Sequence, residues 1–212
     1  MSVIRIYAED CTPYLDEKVA FAALPWLDEK RRSRVRRLRV PLKRAQCVAA
    51  GLLLTHLFGE GGHSPTLYYG AHGKPYLKGD GACFSLSHTD RWVFCAVSEH
   101  NVGMDSQRCR PISTRLITRT LTPEEQTWLD SDREHRYLRL WTMKEAYLKY
   151  TGTGLSTPLC SVSLSVPPAD GFDEALGICW HFPSFSDSEI TLTVCGDDAL
   201  CSTITVISSN DL

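Results

Sequence analysis

Apolar and polar positions alternate over residues 3–7, where Val3, Ile4 and Ile6 are β-branched, and this predicts a strand. Asp28 stands ahead of a charged stretch and predicts the N-cap of a helix that runs as far as the Pro41 interruption. A nearly continuous apolar run over residues 42–58 predicts a second helix, ended by Gly59-Glu-Gly-Gly62. Beyond Cys83 the pattern shortens into β-runs at residues 84–87, 92–97 and 102–105, which predict an antiparallel meander whose last strand delivers Asp105. Thr122-Pro-Glu-Glu125 is a helix cap with proline in the first turn, and helical patterning resumes over residues 132–150, closed by Gly152 and Gly154. Period-two runs at residues 162–166, 190–194 and 203–207 predict further strands.

Helix followed by strands thus occurs twice. The order predicts an α+β protein of two similar lobes, residues 1–103 and 104–212, with a site in the cleft between them.

Composition narrows the class. Hydrophobic residues make up 43% and charged residues 23%, as in folded, water-soluble chains. No apolar run reaches the roughly 18 residues a membrane span needs, and the start, Met1-Ser-Val-Ile-Arg-Ile-Tyr, has no export-signal pattern, so a cytoplasmic setting is expected. Nine cysteines lack zinc-site spacing, and Cys83, Cys95 and Cys195 sit in apolar or strand-like surroundings, which predicts buried free thiols in a reducing compartment. Net charge is -2, yet Lys30-Arg-Arg-Ser-Arg-Val-Arg-Arg-Leu-Arg39 and Lys43-Arg44 concentrate positive charge where an anion could dock.

Several residue types could carry chemistry. Trp141, Glu145 and Lys149, four apart, share one stripe of the predicted helix, an arrangement that an ordinary surface ion pair also satisfies. In Gly103-Met-Asp105 an aspartate closes a β-run just after a glycine that permits close backbone approach, which suits a hard cation, although a turn-forming aspartate fits as well. Ser85-Leu-Ser87-His88 adds hydroxyls and an imidazole, and Gly73-Lys74-Pro75 puts a lysine in a turn. Arg44 opens the apolar helix and offers a fork of donors suited to phosphate.

Taken in order, the Arg44-led helix, Gly73-Lys-Pro75, Phe84-Ser-Leu-Ser-His88 with Trp92, Gly103-Met-Asp105 and Trp141-Thr-Met-Lys-Glu-Ala-Tyr-Leu-Lys149 with Gly152-x-Gly154 resemble the 4′-phosphopantetheinyl transferases of the surfactin-synthetase-activating (Sfp) type. The resemblance implies a pseudo-twofold pair of α+β lobes, each an antiparallel sheet with helices, holding coenzyme A and Mg²⁺ between them. It implies that Asp105 and Glu145 ligate the metal together with the coenzyme A pyrophosphate. Lys149 contacts that pyrophosphate, and Arg44, Lys74, Ser87 and His88 bind the nucleotide end. Glu145 and Lys149 are the implied catalytic pair. Relatives commonly read Gly-x-Asp-x-Glu where this chain has Gly103-Met-Asp-Ser-Gln107, so Gln107 offers an amide oxygen or holds a metal-bound water with one negative charge fewer. The implied protein substrate is a small acidic acyl or peptidyl carrier; residues 111–120, with Arg110, Arg115 and Arg119, are a candidate surface to receive it, or else a connecting loop with solvated arginines. The enzyme is expected to act as a monomer, without nucleic acid or membrane. Two other readings compete: a family member that binds coenzyme A or carrier without turnover, for which Gln107 is the hint, and a nucleic-acid-binding module using residues 30–44.

Overall fold

In the computed structural model, which describes residues 2–79, 81–168, 171–173, 177–182, 185 and 189–208, the first strand, β1 (Val3–Asp10), is longer than the alternation alone predicts. Helix α1 (Glu17–Ala22) follows, capped by Asp16, and α2 (Glu29–Arg37) begins where Asp28 accepts the Arg31 amide proton. Pro41 interrupts the chain as expected and then serves as the first residue of α3 (Pro41–Phe58), where its missing N–H costs nothing. Strands β2 (Leu67–Tyr69) and β3 (Pro75–Leu77) form a small hairpin, and β4 (Cys83–Thr89), β5 (Trp92–Ser98) and β6 (Val102–Arg108) cover the three predicted β-runs.

The second half opens with α4 (Thr114–Thr120), where a loop was one expectation, and with α5 (Pro123–Trp128), whose Thr122 and Glu125 complete a capping box. Helix α6 (Arg133–Thr151) ends on Gly152 in the left-handed conformation, φ 76°, with its N–H returned to the Leu148 carbonyl. Strands β7 (Gly171–Asp173), β8 (Gly177–Phe182), β9 (Ile190–Gly196) and β10 (Ala199–Ile207) follow. Residues 162–166, expected to be a strand, belong to no strand: Val162 and Leu164 are buried and Ser163 and Ser165 exposed, so the alternation is real, but this stretch packs beneath the helices and gives its Leu164 amide to the Glu125 carboxylate.

Two four-stranded sheets organise the chain, ordered β10-β1-β5-β4 and β6-β9-β8-β7. The expected meander stops at β5, because β6 pairs with β9 in the other sheet. The second sheet is antiparallel throughout, as expected, whereas β10 runs parallel to β1 in the first. A division at 103/104 therefore puts the paired strands β1 and β10 on opposite sides. Alternation along the strands fixes the layers. Ile4, Ile6, Phe94 and Ala96 of the first sheet meet Met104, Leu192 and Val194 of the second in one apolar layer. Val93 and Cys95 face α3, while α4–α6 cover the far side of the second sheet. Cys11, Cys47 and Cys95 are buried free thiols, but Cys195 is disulfide-bonded, in a register that sets it opposite Cys179, and this corrects the expectation for that residue. Among the described residues no helix is long and apolar enough to cross a membrane.

Candidate active site

Strand β6 and helix α6 approach each other more closely than side chains allow, and Gly103 is the reason: a β-carbon there would fall 2.0 Å from the Ala146 carbonyl oxygen and 2.2 Å from the Tyr150 nitrogen. Only glycine leaves that space to the helix backbone. Two residues further along β6, on the same face, Asp105 is then within reach of α6 side chains.

Asp105 is 4% exposed. Its Oδ1 accepts from Lys149 Nζ at 2.7 Å and from Ser87 Oγ at 3.0 Å. Its Oδ2 is buried and has no hydrogen-bond partner in the protein. A buried carboxylate oxygen without a donor is costly, and its natural complement is a cation or a strong donor supplied from outside. Lys149 also leans on the Leu86 carbonyl at 3.5 Å, so the ammonium bridges β4 and β6.

Glu145 lies one turn before Lys149 on α6. Its carboxyl is pushed up to about 7, first by desolvation and then by the negative charge of Asp105, with Lys149 pulling the other way. Two carboxylates thus compete for one lysine, and an additional positive charge would relieve both. Among the described residues there is no cluster of three or more His, Cys, Asp or Glu side chains placed to hold a metal, so the chain by itself offers this pair.

Of the implied phosphate-binding residues, Ser87 and Lys149 bond Asp105, whereas Arg44 pairs with Glu17. Lys74 and Lys149 line one crevice of about 190 Å³ with Gly73, Ser85, Gly152 and Gly154, which brings three separated motifs together. The Lys74 ammonium bonds Asn101 Oδ1 (2.9 Å) and the carbonyls of Val102 (3.1 Å) and Tyr150 (3.3 Å), and its desolvation lowers its pKa to about 8. His88, next to Ser87 on β4, keeps an exposed face, yet surrounding protein desolvates the imidazole and holds it below its ordinary range, helped by the charges of Lys43 and Lys149. Lys43 is thereby a neighbour of the site that sequence reasoning missed, although the basic run contained it. Arg44 is buried on α3, with Nη1 3.4 Å from Glu17 and Nε unpartnered. Gln107, two residues beyond Asp105 on the same face of β6, lines a groove of about 280 Å³ with Arg110, Ile112, Tyr137 and Trp141. Ser87 turns its hydroxyl into the protein, toward β6.

Other charges in these motifs serve the fold. Lys144, beside Glu145 in sequence, is fully buried and pairs with the equally buried Glu125 at 2.6 Å, donating also to the Thr120 carbonyl. Along the basic run, Arg31 and Arg32 pair with Asp28 and Glu29, Arg37 folds onto the Ser33 carbonyl, and Lys30 covers the Tyr69 ring. Arg34, Arg36 and Arg39 of the same run are exposed.

Comparison with known proteins agrees with the motifs. Residues 101–199 match the model of the 4′-phosphopantetheinyl transferase superfamily. The chain is 36% identical over 94 residues to the 4′-phosphopantetheinyl transferase gsp of Aneurinibacillus migulanus, covering 42% of this chain and 39% of that protein. It is 38% identical over 98 residues to the 4′-phosphopantetheinyl transferase Sfp of Bacillus subtilis (strain 168), covering 44% of each. It is 29% identical over 171 residues to the 4′-phosphopantetheinyl transferase psf-1 of Bacillus pumilus, covering 74% of this chain and 73% of that protein. The chain thus spans less than half the length of the first two relatives. The resemblance to the Sfp-type transferases is borne out.

Proposed function

We propose that this chain, akin to the 4′-phosphopantetheinyl transferase superfamily, moves the phosphopantetheine arm of coenzyme A onto a serine of an apo carrier protein and releases 3′,5′-ADP. The observation that carries the reading is the Asp105 carboxylate, whose Oδ1 is held by Lys149 while its buried Oδ2 is left without a partner beside Glu145.

The residues present fit a hard divalent cation. Asp105 and Glu145 would hold Mg²⁺, with Gln107 adding an amide oxygen or a bound water, and the coenzyme A diphosphate completing the ligands. Bound there, the ion would neutralise charge on the diphosphate. The chain's own groups do the rest. The carrier serine oxygen forms a bond to the β-phosphorus as the bond from that phosphorus to the bridging oxygen breaks, and the serine proton passes to Glu145 or to water it orients. A carboxyl held near 7 suits that task better than one near its ordinary value. Lys149 stabilises or protonates the departing 3′,5′-ADP. Arg44, Lys74 and His88, with Lys43 nearby, face the nucleotide end, and the Arg110, Arg115 and Arg119 side receives the acidic carrier. The two sheets with their helices serve as pseudo-twofold lobes around this cleft, in a monomeric cytoplasmic enzyme.

The test mixes the protein with coenzyme A, Mg²⁺ and a panel of apo carrier proteins, then weighs the carriers intact. A phosphopantetheine-sized mass gain that requires Mg²⁺ is expected. No gain on any carrier, with the protein shown to be folded, sinks the reading.

A further inference from the structure

The edges of the two sheets meet at β4 and β6 without a backbone ladder. Instead three β4 hydroxyls, at every second residue, accept the amide protons of every second β6 residue: Ser85 Oγ from Met104 at 3.0 Å, Ser87 Oγ from Ser106 at 2.9 Å and Thr89 Oγ1 from Arg108 at 3.1 Å. The middle hydroxyl differs from its neighbours. Ser87 Oγ also accepts from Ser106 Oγ at 2.9 Å and donates its only proton to Asp105 Oδ1 at 3.0 Å. One donor and two lone pairs are all a hydroxyl has, so the Ser87 side chain is saturated. It is 5% exposed, on β4.

We infer that Ser87 is a positioning residue: its hydroxyl fixes the Asp105 carboxylate so that Lys149 takes one oxygen and the other, Oδ2, is the one presented to a divalent cation. This rests on the function proposed above, and it differs from a contact of Ser87 with the nucleotide. Without the Ser87 proton, Oδ1 keeps only the Lys149 bond, and the carboxylate is free to turn about its terminal torsion, which is soft. Groups that hydrogen-bond a ligating carboxylate set the affinity of the site in this way.

The inference is tested with Mn²⁺ as a paramagnetic probe of the divalent site. Its binding is followed by electron paramagnetic resonance in the presence of coenzyme A, alongside calorimetric binding of coenzyme A in metal-free buffer. Ser87→Ala is expected to weaken Mn²⁺ binding by about tenfold while metal-free coenzyme A affinity stays within about twofold, since no direct contact is lost. Ser87→Thr keeps the hydroxyl and restores Mn²⁺ affinity. Thr89→Val removes the neighbouring seam bond, leaves Asp105 untouched and leaves Mn²⁺ affinity unchanged. Thermal unfolding of each variant separates loss of fold from loss of position. The inference is overturned if Ser87→Ala weakens metal-free coenzyme A binding as much as it weakens Mn²⁺ binding, or if Thr89→Val reproduces its effect. If the unsubstituted protein binds neither Mn²⁺ nor coenzyme A, the functional reading itself falls and the inference with it.

Discussion

At the scale of single residues, Glu145 and Lys149 show how one helical stripe divides its work. The spacing of four suggests that they pair with each other, but Lys149 gives its short bond to Asp105, leaving Glu145 with a like charge nearby. The consequence for stability has a definite sign. A carboxyl raised from 4.5 to about 7 keeps its proton in the folded protein where the unfolded chain has already lost it, so stability falls as pH climbs through that window. Glu145→Gln carries no such proton. In metal-free buffer it should match the unsubstituted protein near pH 4.5 and exceed it by about 2 kcal/mol at pH 8, a figure reduced from the full shift because the side chain is partly exposed. Urea unfolding at the two pH values checks this; an offset independent of pH would contradict it. What the sequence left open here was orientation. Lys144, Glu145 and Lys149 are all charged residues of one motif, yet Lys144 is buried against Glu125, and only the packing around α6 separates the structural lysine from the one at the site.

At the scale of elements, the site depends on the distance between β6 and α6, and Gly103 sets it. Gly103→Ala should lower stability by about 1–3 kcal/mol, since the added methyl meets helix backbone that has no rotamer to adopt. It should also cut the transfer rate, because any shift of α6 carries Glu145 and Lys149 away from Asp105. Thermal unfolding and carrier loading measured together check both effects, and a variant with unchanged stability would show that the helix tolerates displacement. The elements themselves were legible where local chemistry marks them. Asp28, Pro41, Thr122 with Glu125, and Gly152 each act on backbone groups within a few residues, and the structure uses all four as capping or breaking signals. Helix α4 was less legible because its threonines and isoleucine are poor helix formers; a serine cap and burial of Ile117 decide it. The stretch at 162–166 alternates as a strand would, but alternation reports two faces of an extended chain and not the presence of a neighbour.

At the scale of the whole molecule, the features that escaped a local reading are those joining distant strands. The motif blocks name candidate site residues because each is legible in its own short stretch of sequence, whereas nothing near β10 or β6 in sequence names its partner. Strand β10 completes the first sheet beside β1, and β6 leaves β5 to pair with β9. The chain passes between the sheets at two adjacent places, after β5 and after β9, and these are tied together: Ser2, Ser98 and His100 all bond the Asp198 carboxylate, and the Tyr150 hydroxyl bonds Asp197 at 2.6 Å. The first sheet is incomplete without β10 from the second half, and the shared apolar layer and the hydroxyl seam join the second sheet to it. The protein should therefore unfold in one cooperative transition, and residues 1–103 and 104–212 expressed separately should not fold. The first fragment leaves the β1 edge and the apolar face of its sheet bare; the second leaves β10 without a partner and the outward β6 amides without acceptors. Scanning calorimetry of the full chain, with calorimetric and van't Hoff enthalpies compared, checks the first point, and near-ultraviolet circular dichroism of the fragments checks the second. Two resolved transitions, or native-like dichroism from either fragment alone, would mean that the lobes are independent and that the seam only decorates their contact.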